Sequence, residues 1–186
     1  MVSVLVPIAD GSEEIEAVTI IDVLRRAGAE VTVASVMANR GVVASRGVNL
    51  VAECLITECA GKAWDAIALP GGMPGAEHLS GNEVLMTLVR EQLVSDRVLG
   101  AICAAPAVVL GRHDLLQNRT ATCYPGFQQE LHAKVEHLVH QRVAIDGKLI
   151  TSQGPGTAAE FALNIVAALF GDEKAAQVAA GMLTNF

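Results

Sequence analysis

Apolar runs at Val2 to Ile8, Val31 to Val36, Ala66 to Leu69 and Val98 to Ile102 alternate along the chain with stretches at helical spacing, Glu13 to Ala27, Asn82 to Val94 and Pro106 to Leu110. Strands without polar alternation are buried on both faces, so the pattern predicts βαβ units and a parallel sheet covered by helices on each side. Between Gly41 and Ala52 the alternation is weak and centred on Arg46-Gly47, which predicts a small β-hairpin appended to that sheet. Short strands follow near Thr120 to Thr122, Val143 to Ile145 and Leu149 to Thr151, then helices from Thr157 to Phe170 and from Glu173 to Met182. Three pairs, Asp10 with Glu13, Ser80 with Glu83 and Thr157 with Glu160, have the spacing of capping boxes and predict where three helices start.

The 186 residues suffice for one domain with a substantial core, and no linker or composition shift divides them, so residues 1–186 read as a single domain. Apolar residues make up 52% and aromatics only 3%, which implies an aliphatic core of closely layered helices and sheet. The longest mostly apolar stretch, Val98 to Gly111, is broken by Pro106 and falls short of the ~20 residues a bilayer span needs, so no membrane partner is expected. The opening "MVSVLVPIADG" has neither the basic region nor the cleavage site of a signal peptide and reads as a core strand, which points to the cytoplasm. Four cysteines without a C-x-x-C pair are expected to be reduced thiols. A net charge of -7 with scattered Lys and Arg offers no basic stripe, so a small molecule or a protein is the expected partner and nucleic acid is not.

In a doubly wound sheet, ligands bind beyond the carboxyl ends of the strands. Three loops there carry candidate chemistry: "PIADGSEEIEAV", "LPGGMPGAEHL" and "GAICAAPA". Cys103 sits between an apolar strand and a helical pattern with Ala101 and Ala105 two residues away on each side, the steric pattern of a tight nucleophile elbow. Such an elbow would project the sulfur at a helix N-terminus that favours thiolate; the alternative is a small buried hydrophobe. The Gly71-Gly72 backbone could pair with the Ala104 amide as an oxyanion hole, or be a plain turn. No G-x-G-x-x-G and no P-loop Lys is present. Glu13 and Glu14 suit a helix N-terminus, but Glu16 shares its column with Ile20 and Val23, so it faces packed material and must be protonated or find a partner. A protonated Glu16 could donate to a Cys103 thiolate. His132, His137 and His140 lack metal-site spacing and read as surface residues, while His78 and His113 fall in loops with no evident role beside Cys103.

Taken in order, "DGSEEIEAV", "DVLRRAGAEVTVAS", "SRGV", "LPGGMPGAEHL", "GAICAAPAVVL" and "LITSQGPGTAAEFAL" resemble the ThiJ/PfpI superfamily over nearly the whole chain, most closely its Parkinson-associated deglycase branch, which has bacterial members. The resemblance implies a flavodoxin-like three-layer α/β/α sandwich with a mostly parallel sheet and a small added β-hairpin, a homodimer, no cofactor and no metal. It implies a reactive cysteine at Cys103 that oxidises to sulfinic acid, a hydrogen-bonding glutamate at Glu16, and backbone donors at Gly72 and Ala104 with Gly71 beside them. Arg25, Arg26 and Arg46 match arginines near the site and dimer region. Tyr124 precedes Pro125 where some members have His, and Ala104 follows the nucleophile where hydrolytic branches have His, so peptide hydrolysis by a Cys/His pair is disfavoured. The function so implied is a glyoxalase or deglycase acting on methylglyoxal-type dicarbonyls or early glycation adducts in carbonyl and oxidative stress. The alternative is a redox sensor or redox-regulated chaperone that works through oxidation of Cys103 and binds client proteins. A thiazole monophosphate biosynthetic role finds no phosphate cradle.

Overall fold

Val4, Val6 and Ile8 of strand β1 (Ser3–Ile8) pack into one apolar cluster while Leu5 packs into another, so consecutive side chains serve opposite faces of the sheet. The same division runs through β6 (Ala66–Leu69), where Ala66 and Ala68 face one cluster and Ile67 and Leu69 the other, and through β7 (Val98–Ile102). These relationships come from a computed structural model, which describes residues 1–185.

The remaining elements are, in chain order, α1 (Glu14–Ala27), β2 (Glu30–Ser35), β3 (Gly41–Val43), β4 (Asn49–Val51), β5 (Cys54–Leu55), α2 (Gly75–Ser80), α3 (Glu83–Val94), β8 (Thr120–Ala121), α4 (Gln128–His132), β9 (His137–Leu138), β10 (Val143–Asp146), β11 (Leu149–Ser152), α5 (Ala158–Phe170) and α6 (Asp172–Gly181). The main sheet runs β10-β11-β7-β6-β1-β2-β5. Only β10 is antiparallel; the rest pair in parallel. The principal parallel strands, taken in chain order as β1, β2, β6, β7 and β11, lie in the flavodoxin-like order 2-1-3-4-5. Helices α1, α5 and α6 cover one face, and α2 and α3 with the Pro106–Leu110 π-helical turn cover the other. The strand order reverses between β1 and β6, and that crevice opens at the ends of those two strands.

Helix α1 buries Ala17, Ile20, Val23, Leu24 and Ala27 along one face and stops at Gly28, whose φ of 94° supplies the left-handed C-cap. Gly100 lies under α5 at a point where a Cβ would come within 2.8 Å of Phe161 and Ile165, so the glycine lets that helix settle on the sheet.

The hairpin forms as expected, β3 pairing antiparallel with β4 around the Arg46-Gly47 turn, but as a separate two-stranded sheet. It is held to the β1–α1 loop by Gly11 donating to the Val43 carbonyl and by Val43 donating to the Asp10 carboxylate. That second bond removes Asp10 from the expected capping box; Glu13 is the N-cap of α1 and accepts from the Glu16 amide. Likewise Asn82, not Ser80, caps α3, because the Ser80 hydroxyl is engaged with His113. Thr157 stands at the start of α5, but its hydroxyl turns back to Ser152 and Gly154, and Glu160 pairs with Arg142 instead. Glu14 ties the helix to the hairpin, accepting from the Ser45 hydroxyl and the Arg46 amide. No helix among the described residues is long and apolar enough to cross a membrane.

Candidate active site

Strand β7 ends at Ile102, and the chain turns at Cys103 with φ of +64°, a left-handed conformation that few non-glycine residues adopt. Ala101, Ala104 and Ala105 are almost wholly buried around it, so the corner closes because its flanks carry only methyl groups. Its backbone is held on both sides: Cys103 donates to the Ser152 carbonyl at 2.9 Å, and Tyr124 donates to the Cys103 carbonyl at 2.8 Å. The elbow expected from sequence is therefore present, and the cysteine is 8% exposed. Beyond the corner the chain enters the short π-helical turn Pro106–Leu110, not a regular helix.

Glu16, on the first turn of α1, is fully buried. Its Oε2 accepts from the Gly71 amide at 2.7 Å. Oε1 has no hydrogen-bond partner of full geometry among the described residues, and the carboxyl lies against the Cys103 thiol. Burial raises its pKa to about 7, against the lowering influence of Gly71 and Cys103. The same environment acts on the cysteine: burial and the Glu16 charge push the thiol up to about 12, and the Gly72 and Ala104 amides only partly offset them. The elbow's amide donors favour thiolate, as the sequence suggests, but desolvation and a neighbouring acid oppose them. The Cys103–Glu16 pair keeps at least one proton at neutral pH, held on the thiol when Glu16 is ionised.

Glycines at the end of β6 let this corner form. A Cβ on Gly71 would lie 2.6 Å from the Cys103 Cβ and 2.9 Å from the Ala104 nitrogen. Gly72, at φ of +87°, would put a Cβ 2.4 Å from the Glu13 nitrogen and the Gly11 carbonyl, and Gly75 faces Ser12 at the same distance. The two glycines divide the work: the Gly71 amide is committed to Glu16, while the Gly72 amide, with that of Ala104, is directed at the Cys103 sulfur. Gly71 is thereby removed from the oxyanion donors that sequence allowed.

The structure does not bring every candidate here. Arg25 and Arg26 lie at the far end of α1, about 14 Å along the helix from Glu16 at 1.5 Å per residue; Arg25 binds Glu53 and the Val31 carbonyl, and Arg26 binds Asp22. Arg46 is exposed on the hairpin turn, and its backbone, not its guanidinium, contacts Glu14. Tyr124 is 45% exposed, with its ring over Gly154 and Gly126 and its amide on the elbow. His132, His137 and His140 are on the surface. His78 and His113 are not loop residues: the first is on α2 and the second, in a 3-10 turn, binds Ser80. Sequence reasoning missed Ser12, a buried hydroxyl that accepts from the Ala9 amide and braces the β1–α1 loop, and Ser152, whose carbonyl anchors the elbow. The run "TSQGPGT" was the available signal for the second.

The profile described as the DJ-1/PfpI family matches residues 2–168. Protein DJ-1 homolog A of Arabidopsis thaliana is 46% identical over 181 residues, 97% of this chain but 46% of that protein, so the chain spans under half the length of this relative. The glutathione-independent glyoxalase DJR-1.2 of Caenorhabditis elegans is 36% identical over 171 residues, covering 92% of this chain and 89% of its own. Among solved structures, oxidized Toxoplasma gondii DJ-1 superposes with a TM-score of 0.96 at 44% identity over the whole of both chains.

Proposed function

The chain belongs to the DJ-1/PfpI family, and from that premise we propose that it is a cofactor-independent glyoxalase in which Cys103 attacks small dicarbonyls of the methylglyoxal type. One relative of similar length is named a glutathione-independent glyoxalase. The observation that carries the reading is the convergence on one sulfur of a buried carboxyl with an unoccupied oxygen and of two backbone amides, Gly72 and Ala104.

At pH 7 the Glu16 carboxyl is poised between its two forms, so it can take the thiol proton as Cys103 Sγ bonds to the aldehyde carbon and return it to the resulting oxygen. The Gly72 and Ala104 amides stabilise charge at that position. In the hemithioacetal so formed, Glu16 moves a proton from the former aldehyde carbon to the adjacent carbon while the hydroxyl proton passes to the neighbouring carbonyl oxygen, which leaves a lactoyl thioester on Cys103. Water cleaves the thioester, releasing lactate and restoring the thiol; the net change is addition of one water to methylglyoxal. Early glycation adducts fall within the same reading, since Cys103 would attack the carbonyl they release.

Purified wild-type protein is expected to convert methylglyoxal to lactate without added thiol, Cys103→Ser to lose all turnover, and Glu16→Gln to fall about 100-fold or more. Undiminished turnover in Cys103→Ser would overturn the assignment. The same donor set also suits the oxygens of a cysteine sulfinic acid, and one similar structure is described as oxidized, which supports redox sensing as a second reading. Absence of turnover together with a clean gain of two oxygens on Cys103 after mild peroxide would select it.

We further propose that a second copy packs on the exposed apolar face formed by Ile15 and Val18 of α1 with Val43, Val48 and Val51 of the adjacent hairpin. The four free thiols suit a reducing compartment such as the cytoplasm.

A further inference from the structure

Cys54 and Cys59 are five residues apart, and neither belongs to the site around Cys103. Their sulfurs nevertheless lie 3.7 Å apart, in van der Waals contact. The chain between them folds back on itself: β5 joins the sheet edge through Ala34 and Ser35, and the 3-10 turn Ile56–Cys59 comes at once after it. The fold-back is pinned from outside by two carboxylates. Glu58 accepts from the Leu55 amide at 2.8 Å, and Glu53, immediately before Cys54, accepts from the Val33 amide while pairing with Arg25. Two thiols are thus held face to face by contacts that involve neither sulfur.

We propose that Cys54 and Cys59 form a reversible dithiol–disulfide couple, a second redox site independent of Cys103, whose oxidant is a peroxide or a low-molecular-weight disulfide. The sulfurs must close from 3.7 Å to the ~2 Å of a bond. The pair occupies an edge strand of two residues and a single turn, where such a shift disturbs little of the sheet. The two sulfurs differ in access: Cys54 is partly exposed and Cys59 is buried. Burial and the neighbouring Cys54 push the Cys59 thiol up to about 12, which suits a resolving thiol over an attacking one.

With a peroxide, the Cys54 thiolate attacks one oxygen, the O–O bond breaks, and a sulfenic acid forms with release of hydroxide. The Cys59 sulfur then displaces the sulfenic oxygen as water, so that two thiols and one hydrogen peroxide give one disulfide and two waters. With a small disulfide, Cys54 first forms the mixed disulfide and Cys59 expels the second thiol. The closed ring contains few residues, which fits a reversible bond better than a structural staple.

The test uses the full chain, reduced, exposed to hydrogen peroxide, alkylated and digested with trypsin without reduction. Cleavage after Arg46 and Lys62 leaves both cysteines, and no others, in the single peptide 47–62. The expected result is a peptide that has lost two hydrogens and resists alkylation, is restored by dithiothreitol, and tracks the ratio of thiol to disulfide in glutathione buffers. Cys54→Ser and Cys103→Ser separate the two sites: the first abolishes the change, the second preserves it. Two alkylated cysteines in that peptide under conditions that oxidise Cys103 would overturn the proposal. So would a sulfinic acid or an intermolecular bond at Cys54 with Cys59 still alkylated.

Discussion

The Gly71 amide donates to Glu16 Oε2 at 2.7 Å while Oε1 of the same carboxyl, beside Cys103, has no partner of full geometry among the described residues. One oxygen is fixed by the main chain and the other is kept available, which gives a buried acid an orientation and a task. Its cost is a pH-dependent fold. The folded pKa of about 7 lies above the ordinary 4.5, so the folded state binds more protons between those values and stability falls as pH rises through that window, then levels off. The expected loss is about 3 kcal/mol between pH 4.5 and pH 8. Urea denaturation of wild type and Glu16→Gln at pH 5 and pH 8 checks this: the variant should lack that component of the decline, and parallel behaviour of the two proteins would refute it.

The same group shapes the rate. Since Glu16 must be ionised to accept the thiol proton, kcat/KM for methylglyoxal is expected to rise about tenfold per pH unit below pH 7 and to flatten above it. Glu16→Gln keeps an acceptor for the Gly71 amide but should lose this limb. A profile with an unchanged limb in the variant would assign the titration to another group.

Gly72→Ala is expected to destabilise by about 3 kcal/mol, since a methyl group there meets backbone atoms at 2.4 Å and φ is +87°. Thermal denaturation reads the loss directly. Gly71→Ala places a methyl 2.6 Å from the Cys103 Cβ and should slow alkylation of Cys103 by iodoacetamide more than it alters Cys123, a buried thiol elsewhere.

Arg25→Ala and Arg26→Ala should leave dicarbonyl turnover unchanged and shift stability by less than about 1 kcal/mol, because both side chains are half exposed and sit in surface pairs. A hundredfold loss of kcat in either would return these arginines to the catalytic machinery.

Val51→Asp puts a charge on the most exposed valine of the hairpin face, and sedimentation is expected to show a dimer giving way to monomer. A wild-type monomer at micromolar concentration would remove the proposed second copy.

How far these features could be read from sequence depends on whether they are local. The strand Ala66–Leu69 ends where its apolar run meets Pro70, and Val98–Ile102, inside a longer apolar run, ends at the left-handed turn of Cys103 that its small flanking residues allow. Glu16 was legible because a carboxyl on the column of Ile20 has to be buried. Two of the capping boxes failed because their competitors are remote, Val43 claiming Asp10 and His113 engaging Ser80 from more than thirty residues away, whereas Thr157 marks the start of α5 but is drawn to Ser152 and Gly154 close by. The Cys54–Cys59 contact escaped a search for C-x-x-C because a 3-10 turn, set by Glu58 and not by cysteine spacing, folds the two together. The pairing of Glu16 with Cys103 was legible, but the depth of burial that raises both groups was not, because it is set by packing from the whole sheet edge.

The interlocked backbones of Gly11, Ser12, Gly72 and Gly75 also decide where this chain can be cut. The stretch that carries Glu16 and the stretch that presents Gly71 and Gly72 touch main chain to main chain, with no side-chain layer between them to absorb a shift. A circular permutant opened at Ser12–Glu13, or an insertion at Met73, would therefore dismantle the reacting corner at once. New termini at Arg46–Gly47, on an exposed turn of a separate two-stranded ribbon, would leave it whole.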